Sequence, residues 1–390
     1  MQQERSADEW YELGKAAEKE GDLATAVGYY KRAERLGHSL TDPHPPTQWP
    51  DVNPSDEVEI TPRLTDEEKA RLEQHPHVFD YPLSDDQLAF LEENGYLVIP
   101  NAVSKELCDR MTGELYDRAE RLMGVTRSNP ASWNEIDPIG FIDVWHGDTY
   151  NELRQSPVLY SIFAQLLKTH RLVTTIDRAN LNPPAYVTDP ATGKVTHKFN
   201  SRRDAVFPVH TDMNLWNLKD GWWQGGLALQ DCHSGGFHCI PEVGAPGFHK
   251  LEKIRQYRQA CEQGKLGELD PPVPFFNWFH DEELINSQAK RVPMKQGDFV
   301  VWSSRLPHSA LANTSDQWRV HAYLRFLPVD RFPEYAEEVR QCVEVGRKPR
   351  NYPAGGPTSD YRAEWEVPLH RTPQMSWLGR RVFGLEPWDN

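Results

Sequence analysis

The residues best suited to chemistry are two histidines and a carboxylate. The string Phe207-Pro208-Val209-His210-Thr211-Asp212 reads as a strand. On a strand, residues two apart face the same side. His210 and Asp212 therefore project together and can share one metal ion. A second histidine lies 98 residues further on, in Gln296-Gly297-Asp298-Phe299-Val300-Val301-Trp302 followed by Leu306-Pro307-His308. There a Gly-Asp turn precedes an apolar strand, and His308 sits where that strand ends. Only the fold can bring it to the first pair.

Two histidines and one carboxylate on one face of an octahedron leave three positions open, the arrangement of non-haem Fe(II) oxygenases. 2-Oxoglutarate needs two of those positions and O2 needs one. Arg319 follows eleven residues after His308 and opens the strand Arg319-Val320-His321-Ala322-Tyr323-Leu324-Arg325-Phe326. Arg319, His321, Tyr323 and Arg325 alternate with apolar residues, which suits a polar barrel interior. A guanidinium can grip the distal carboxylate of 2-oxoglutarate with two parallel hydrogen bonds. Arg325 either lines the pocket or pairs with a carboxylate.

These residues need a β-rich frame. Candidate strands run over 172–181, 206–213, 225–231, 236–241, 291–294, 298–303 and 318–327, separated by Pro, Gly and Asn. Many short strands with turn signals suggest a sandwich or jelly roll. A stretch at 246–290 reads as an insertion, with Leu251 to Cys261 helical. Upstream, Ser84 caps a helix through Leu88 and Leu91, Asn94-Gly95 ends it, and Tyr96 to Pro100 is a short strand. Ser104 caps the next helix through Leu107, Met111 and Leu115. Residues 6 to 38 read as two helices turning at Gly21-Asp22, and their spacing resembles one tetratricopeptide repeat. A single copy favours a docked hairpin over a peptide-binding array, though a protein contact through it stays open. Residues 41–80 form a Pro-rich linker or strap, and 331–390 a polar extension that wraps the core.

Composition narrows the class. The chain has 390 residues and a net charge of -15, which argues against non-specific binding to nucleic acid or anionic membranes. Its opening is polar and no apolar run approaches a membrane span, so neither a secretory signal nor a span is expected. Five cysteines, scattered at 108, 232, 239, 261 and 342, suit a reducing, cytoplasmic setting.

The chain resembles the phytanoyl-CoA dioxygenase family. The strings that carry this are Asp85-Asp86-Gln87-Leu88 through Gly95-Tyr96-Leu97-Val98-Ile99-Pro100, His210-Thr211-Asp212, Gly235-Gly236-Phe237-His238-Cys239-Ile240-Pro241, and His308 with Asn313, Ser315 and Arg319. They cover about residues 84 to 330. The resemblance implies a mainly β, cupin-like double-stranded β-helix with flanking helices over 81–330, fused here to the N-terminal hairpin of residues 1–40. It also implies Fe(II), 2-oxoglutarate and oxidation of an unactivated C–H bond in a small-molecule substrate. Asn182 stands where members often carry a Lys before a Pro, which places it beside the co-substrate. Ala310 stands where members often carry a small hydroxyl residue. Relatives that halogenate replace the metal carboxylate by a small residue; Asp212 is present, which points to hydroxylation or desaturation.

Plainer readings compete. Trp216, Trp222 and Trp223 follow the metal motif in an expected loop, as packing or as a substrate wall. Arg202 and Arg203 are a solvated turn or a contact for an anionic substrate. Cys232, His233, His238 and Cys239 do not have zinc-finger spacing, and His238 and Cys239 face opposite sides of a strand. Two other functions remain open: a cupin-like metalloenzyme that does not use 2-oxoglutarate, such as an isomerase, and a non-catalytic scaffold. Formation of succinate separates the first from both.

Overall fold

Alternating side chains on short strands generate two sheets that share an interior. The computed structural model describes residues 6–19, 82–136, 140–184, 186–188, 191–192, 194–198, 209–213, 222–241, 247, 249–264, 277–278, 290–311, 313, 315–350 and 364–388. The larger sheet is antiparallel, in the order β1 (Tyr96–Ile99), β11 (Phe299–Ser303), β7 (Trp223–Ala228), β13 (Arg319–Tyr323), β3 (Ala179–Asn182). The smaller runs β10 (Lys290–Arg291), β8 (Gly236–Cys239), β12 (His308–Leu311), β6 (His210–Thr211), β9 (Asn277–Trp278). Two pairs stand apart: β2 (Leu172–Thr174) with β14 (Phe326–Pro328), and β4 (Tyr186–Thr188) with β5 (Val195–Lys198). Mostly antiparallel sheets flanked by helices make this a jelly-roll architecture.

Register sorts the larger sheet into two faces, because directly opposed residues of an antiparallel pair point the same way. Tyr96, Trp302 and Gln224 oppose one another in turn, as do Val98, Val300, Gly226 and Tyr323. Ala228, His321 and Asn180 form a third row, and Arg319 opposes Asn182. This face looks into the barrel. The other face carries Leu97, Ile99, Phe299, Val301, Leu227, Val320, Ala322 and Leu181, which join the main core with the helices. Gly225 lies on that face because Phe299 leaves it no room: a Cβ would come within 2.1 Å of the Phe299 ring.

Helices cover the outer face. α1 (Ala7–Lys19) lies at the N-terminus. In α2 (Asp85–Asn94) Ser84 forms a capping box with Gln87, and Gly95 ends the helix at φ 76°. α3 (Lys105–Met123), capped by Ser104, buries Leu107, Met111, Leu115 and Ala119, a stripe three or four residues apart. α4 (Asp148–Arg154) and α5 (Pro157–Leu167) follow; Phe163 of α5 meets Phe299 at 6.2 Å and Phe326 at 5.4 Å between centroids. α6 (Leu251–Glu262) is amphipathic. No helix among the described residues is long and apolar enough to cross a membrane.

Several sequence expectations are redrawn. The strand expected at 172–181 divides into β2 and β3, because the buried Arg154 guanidinium takes the carbonyls of Thr175 (3.2 Å) and Asp177 (3.0 Å) that a neighbouring strand would otherwise use. The strand expected at 318–327 divides likewise into β13 and β14. His308 opens β12 rather than closing β11, since a turn at 304–306 intervenes. The expected insertion supplies β9, which pairs with β6. The tail carries α7 (Pro333–Val345) and α8 (Trp377–Val382), whose Val339, Cys342, Leu378 and Val382 are core residues. In the expected hairpin, only the first helix falls in the described residues; the second, and the whole of the strap, lie outside them.

Candidate metal centre

His210 and His308 face each other directly across β6 and β12, and their ring centroids are 4.6 Å apart. Asp212 follows on the chain just past β6. Its Oδ1 lies 3.4 Å from His210 Nε2, and its Oδ2 lies 3.2 Å from His308 Nε2. One potential ligand atom from each of the three lies within 4.8 Å of the others. Among the described residues this is the one place where three such groups converge.

The surroundings hold these groups in a metal-ready state. His308 donates from Nδ1 to the Leu306 carbonyl at 2.8 Å. That fixes the proton on Nδ1 and leaves the Nε2 lone pair for a metal. Gln224 Nε2 donates to Asp212 Oδ2 at 2.5 Å, and Arg325 Nη1 donates to Gln224 Oε1 at 3.3 Å. The Asp212 amide donates to the Ser304 carbonyl at 3.0 Å. Ser304 in turn pairs with Trp222 through both its backbone amide and its hydroxyl. Burial would push the Asp212 carboxyl up, but the His308 and His210 rings hold it well below the usual carboxylate range. A carboxylate and two imidazoles that turn Nε2 toward it are a donor set that fits a divalent transition metal.

The interior around the centre is part apolar and part cationic. Trp302 packs 5.3 Å from His308, and Phe237 packs 4.8 Å from Trp302, centroid to centroid. On the larger sheet Arg319 is only 3% exposed, on the same face as His321 and Tyr323. Burial pushes the Tyr323 phenol up; Arg319 and Arg178 pull it down, and Asp212 pushes it up further. Tyr323 thus lies within electrostatic reach of both the guanidinium and the triad. Asn180 and Asn182 lie close to Gly140, where a Cβ would come within 2.8 Å of both amides.

The sequence profile of the phytanoyl-CoA dioxygenase family (PhyH) matches residues 91–321, more than half of the chain. The chain belongs to the phytanoyl-CoA dioxygenase family. A Dictyostelium discoideum relative that carries the same family name is 23% identical over 319 residues, covering 68% of this chain and 82% of that protein. The crystal structure of GlcNAc Inducible Gene 2 from Candida albicans aligns with a TM-score of 0.55 at 17% identity, over 81% of this chain and 79% of the other. HygX from Streptomyces hygroscopicus, solved with nickel and 2-oxoglutarate bound, aligns with a TM-score of 0.41 at 16% identity, over 63% of this chain and 88% of HygX.

Within this phytanoyl-CoA dioxygenase family chain, the remaining sequence candidates distribute as follows. Trp222 is buried at the start of β7, 5.7 Å from the Arg325 guanidinium. Arg325 lies past the end of β13, so it leaves the alternation expected of it and reaches Gln224 instead. Trp216, Arg202 and Arg203 lie outside the described residues. Cys239 joins the barrel-interior cluster with Trp302 and Ala228. Sequence reasoning missed Gln224. Its signal was its place two residues before Gly226, on the barrel face of a strand that follows the metal motif.

Proposed function

We propose that this chain is an Fe(II)- and 2-oxoglutarate-dependent dioxygenase that hydroxylates or desaturates a small organic substrate, with release of succinate and CO2. The observation that carries the reading is the convergence of His210, Asp212 and His308, with ligand atoms within 4.8 Å of one another on one side of a barrel. Family membership makes oxygenase chemistry the frame for it. Bound iron(II) and its keto-acid partner would supply the oxidising power from O2.

The chain supplies everything else. His210, Asp212 and His308 would hold the metal. An intact Asp212 fills the carboxylate position. Arg319, buried in the barrel, offers two parallel donors to the distal carboxylate of 2-oxoglutarate, and Asn182, directly opposed to it in register, stands beside the same ligand. Trp302 and Phe237 line the apolar side of the centre. Trp222 and Arg325 stand beside Asp212 through Ser304 and Gln224, where a substrate would approach. The free, buried cysteines Cys108, Cys232, Cys239 and Cys342 suit a reducing compartment such as the cytoplasm.

The test is an anaerobic titration of the metal-free protein with Fe(II) and then 2-oxoglutarate, following the visible charge-transfer band of the chelate. The band forms in the parent and is lost in His210→Ala. Iron binding with no band would favour a cupin-like enzyme that does not use 2-oxoglutarate, and no iron binding at all would favour a scaffold.

A further inference from the structure

Next to Arg319 on the barrel face of β13 lies a second polar group with no role so far. His321 is 7% exposed, and its Nε2 has no hydrogen-bond partner among the described residues. Buried polar atoms in native proteins are nearly always paired, so an orphan on the barrel face beside Arg319 points to a group that arrives with a ligand. In register His321 opposes Ala228 on one side, which has no polar side-chain atom, and Asn180 on the other, whose amide makes no hydrogen bond to Nε2. Ala310, two residues past His308 on β12, carries no side-chain donor either.

The two side chains converge. A Cβ placed on Gly236, across the barrel on β8, would lie 4.0 Å from Cδ of Arg319 and 4.0 Å from Cε1 of His321. Gly236 adopts φ 86°, where a side chain is disfavoured, and a Cβ there would also meet Cys232 Sγ at 2.6 Å. The absence of a side chain at this point leaves open a space beside the Arg319 stem and the His321 ring. Together they make a site with a fixed positive charge and a neutral N–H donor. Burial, and then the Arg319 charge, push the imidazole down to about 3, so the ring stays neutral in ordinary buffers.

We infer that His321 is a second contact to the distal carboxylate of 2-oxoglutarate, donating from Nε2 to one carboxylate oxygen while Arg319 grips the group from its other side. The inference rests on the proposed use of 2-oxoglutarate. It makes the pocket selective for a keto acid with a carboxylate at the far end, because a shorter or uncharged tail leaves Nε2 unpaired.

The experiment uses the full chain, loaded anaerobically with Fe(II), and two probes: 2-oxoglutarate and 2-oxopentanoate, the keto acid of the same length with a methyl group in place of the distal carboxylate. Each is titrated into the parent, His321→Phe and His321→Gln, with the charge-transfer band as readout and Fe(II) affinity measured separately. In His321→Phe the Kd for 2-oxoglutarate is expected to rise about 10- to 100-fold, the scale of one hydrogen bond to a charged group. The Kd for 2-oxopentanoate and the affinity for Fe(II) are expected to stay within about threefold, and His321→Gln, which keeps a donor, to recover part of the loss. Equal weakening of both keto acids in both variants would show a role in folding alone and overturn the inference. So would an unchanged Kd for 2-oxoglutarate in His321→Phe. A parent that binds Fe(II) but neither keto acid would overturn the co-substrate reading itself, a failure visible without any variant.

Discussion

Gln224 and Asp212 are joined by a hydrogen bond of 2.5 Å, on the same carboxylate oxygen that faces His308 at 3.2 Å. A neutral amide thus fixes the rotation of the carboxylate ligand without competing for the metal, and Arg325 fixes the amide. Groups of this kind orient ligands that would otherwise rotate.

Gln224→Leu is therefore expected to lower metal affinity about 10- to 100-fold while leaving the fold intact. Arg325→Leu should act in the same direction with a smaller effect, because it acts through Gln224. Metal titration beside thermal unfolding checks both. Unchanged affinity in Gln224→Leu would remove the amide from the account.

Arg319→Lys should raise the Kd for 2-oxoglutarate about 10- to 100-fold, since a single ammonium cannot reproduce two parallel donors. Metal affinity should hold. The anaerobic band titration reads both quantities in one sample, and a lysine variant that binds the co-substrate like the parent refutes the bidentate role.

Gly225→Ala tests the outer face of the barrel. Its Cβ would press on the Phe299 ring at 2.1 Å and on the Leu324 carbonyl at 2.6 Å. Such overpacking costs about 1–3 kcal/mol, readable as a lower urea midpoint. A smaller partner should relieve it, so adding Phe299→Leu is expected to cost less than the sum of the two single changes.

The tail imposes a pH dependence. Glu366 is buried, with Arg118 Nη1 at 3.1 Å and the Trp145 amide at 2.7 Å on its two oxygens. Burial pushes its carboxyl from 4.5 up to about 7, with Arg118 and the backbone amides of Trp145 and His146 opposing. The folded state thus keeps a proton that the unfolded chain gives up first. That stability is complete below about pH 4.5 and is lost as the pH rises through about 7, by at most about 3 kcal/mol. His146 works in the other direction: burial pushes it from 6.5 down to about 3, so its contribution is lost as the pH falls across that range. Urea unfolding from about pH 5 to 8 should show a flatter decline toward high pH in Glu366→Gln than in the parent. Parallel curves would rule out Glu366 as the titrating group.

Much of this was legible in the chain. Ser84, Asn94-Gly95 and Ser104 mark helix ends by local capping chemistry, and those ends fall where the residues put them. The alternation of Arg319, His321 and Tyr323 follows from the two-residue period of a strand, which needs no tertiary information. Strand lengths were not legible, because Arg154 interrupts a ladder from 21 and 23 residues away. The helices of the tail were hidden by a polar composition that gives little weight to a few core residues such as Val339 and Leu378.

By itself, the sequence determined which residue types could bind a metal and which faces of the local elements they share, because those depend on neighbours within a turn or a strand. The tertiary structure decided which of them meet. The pairing of β6 with β12 sets His308 opposite His210, 98 residues away. The pairing of β7 with β11 and β13 places Gln224 at Asp212, and the barrel's closure brings Arg319 and His321 together at Gly236. Such contacts depend on strand order and register, which arise only when the whole chain buries its apolar faces at once.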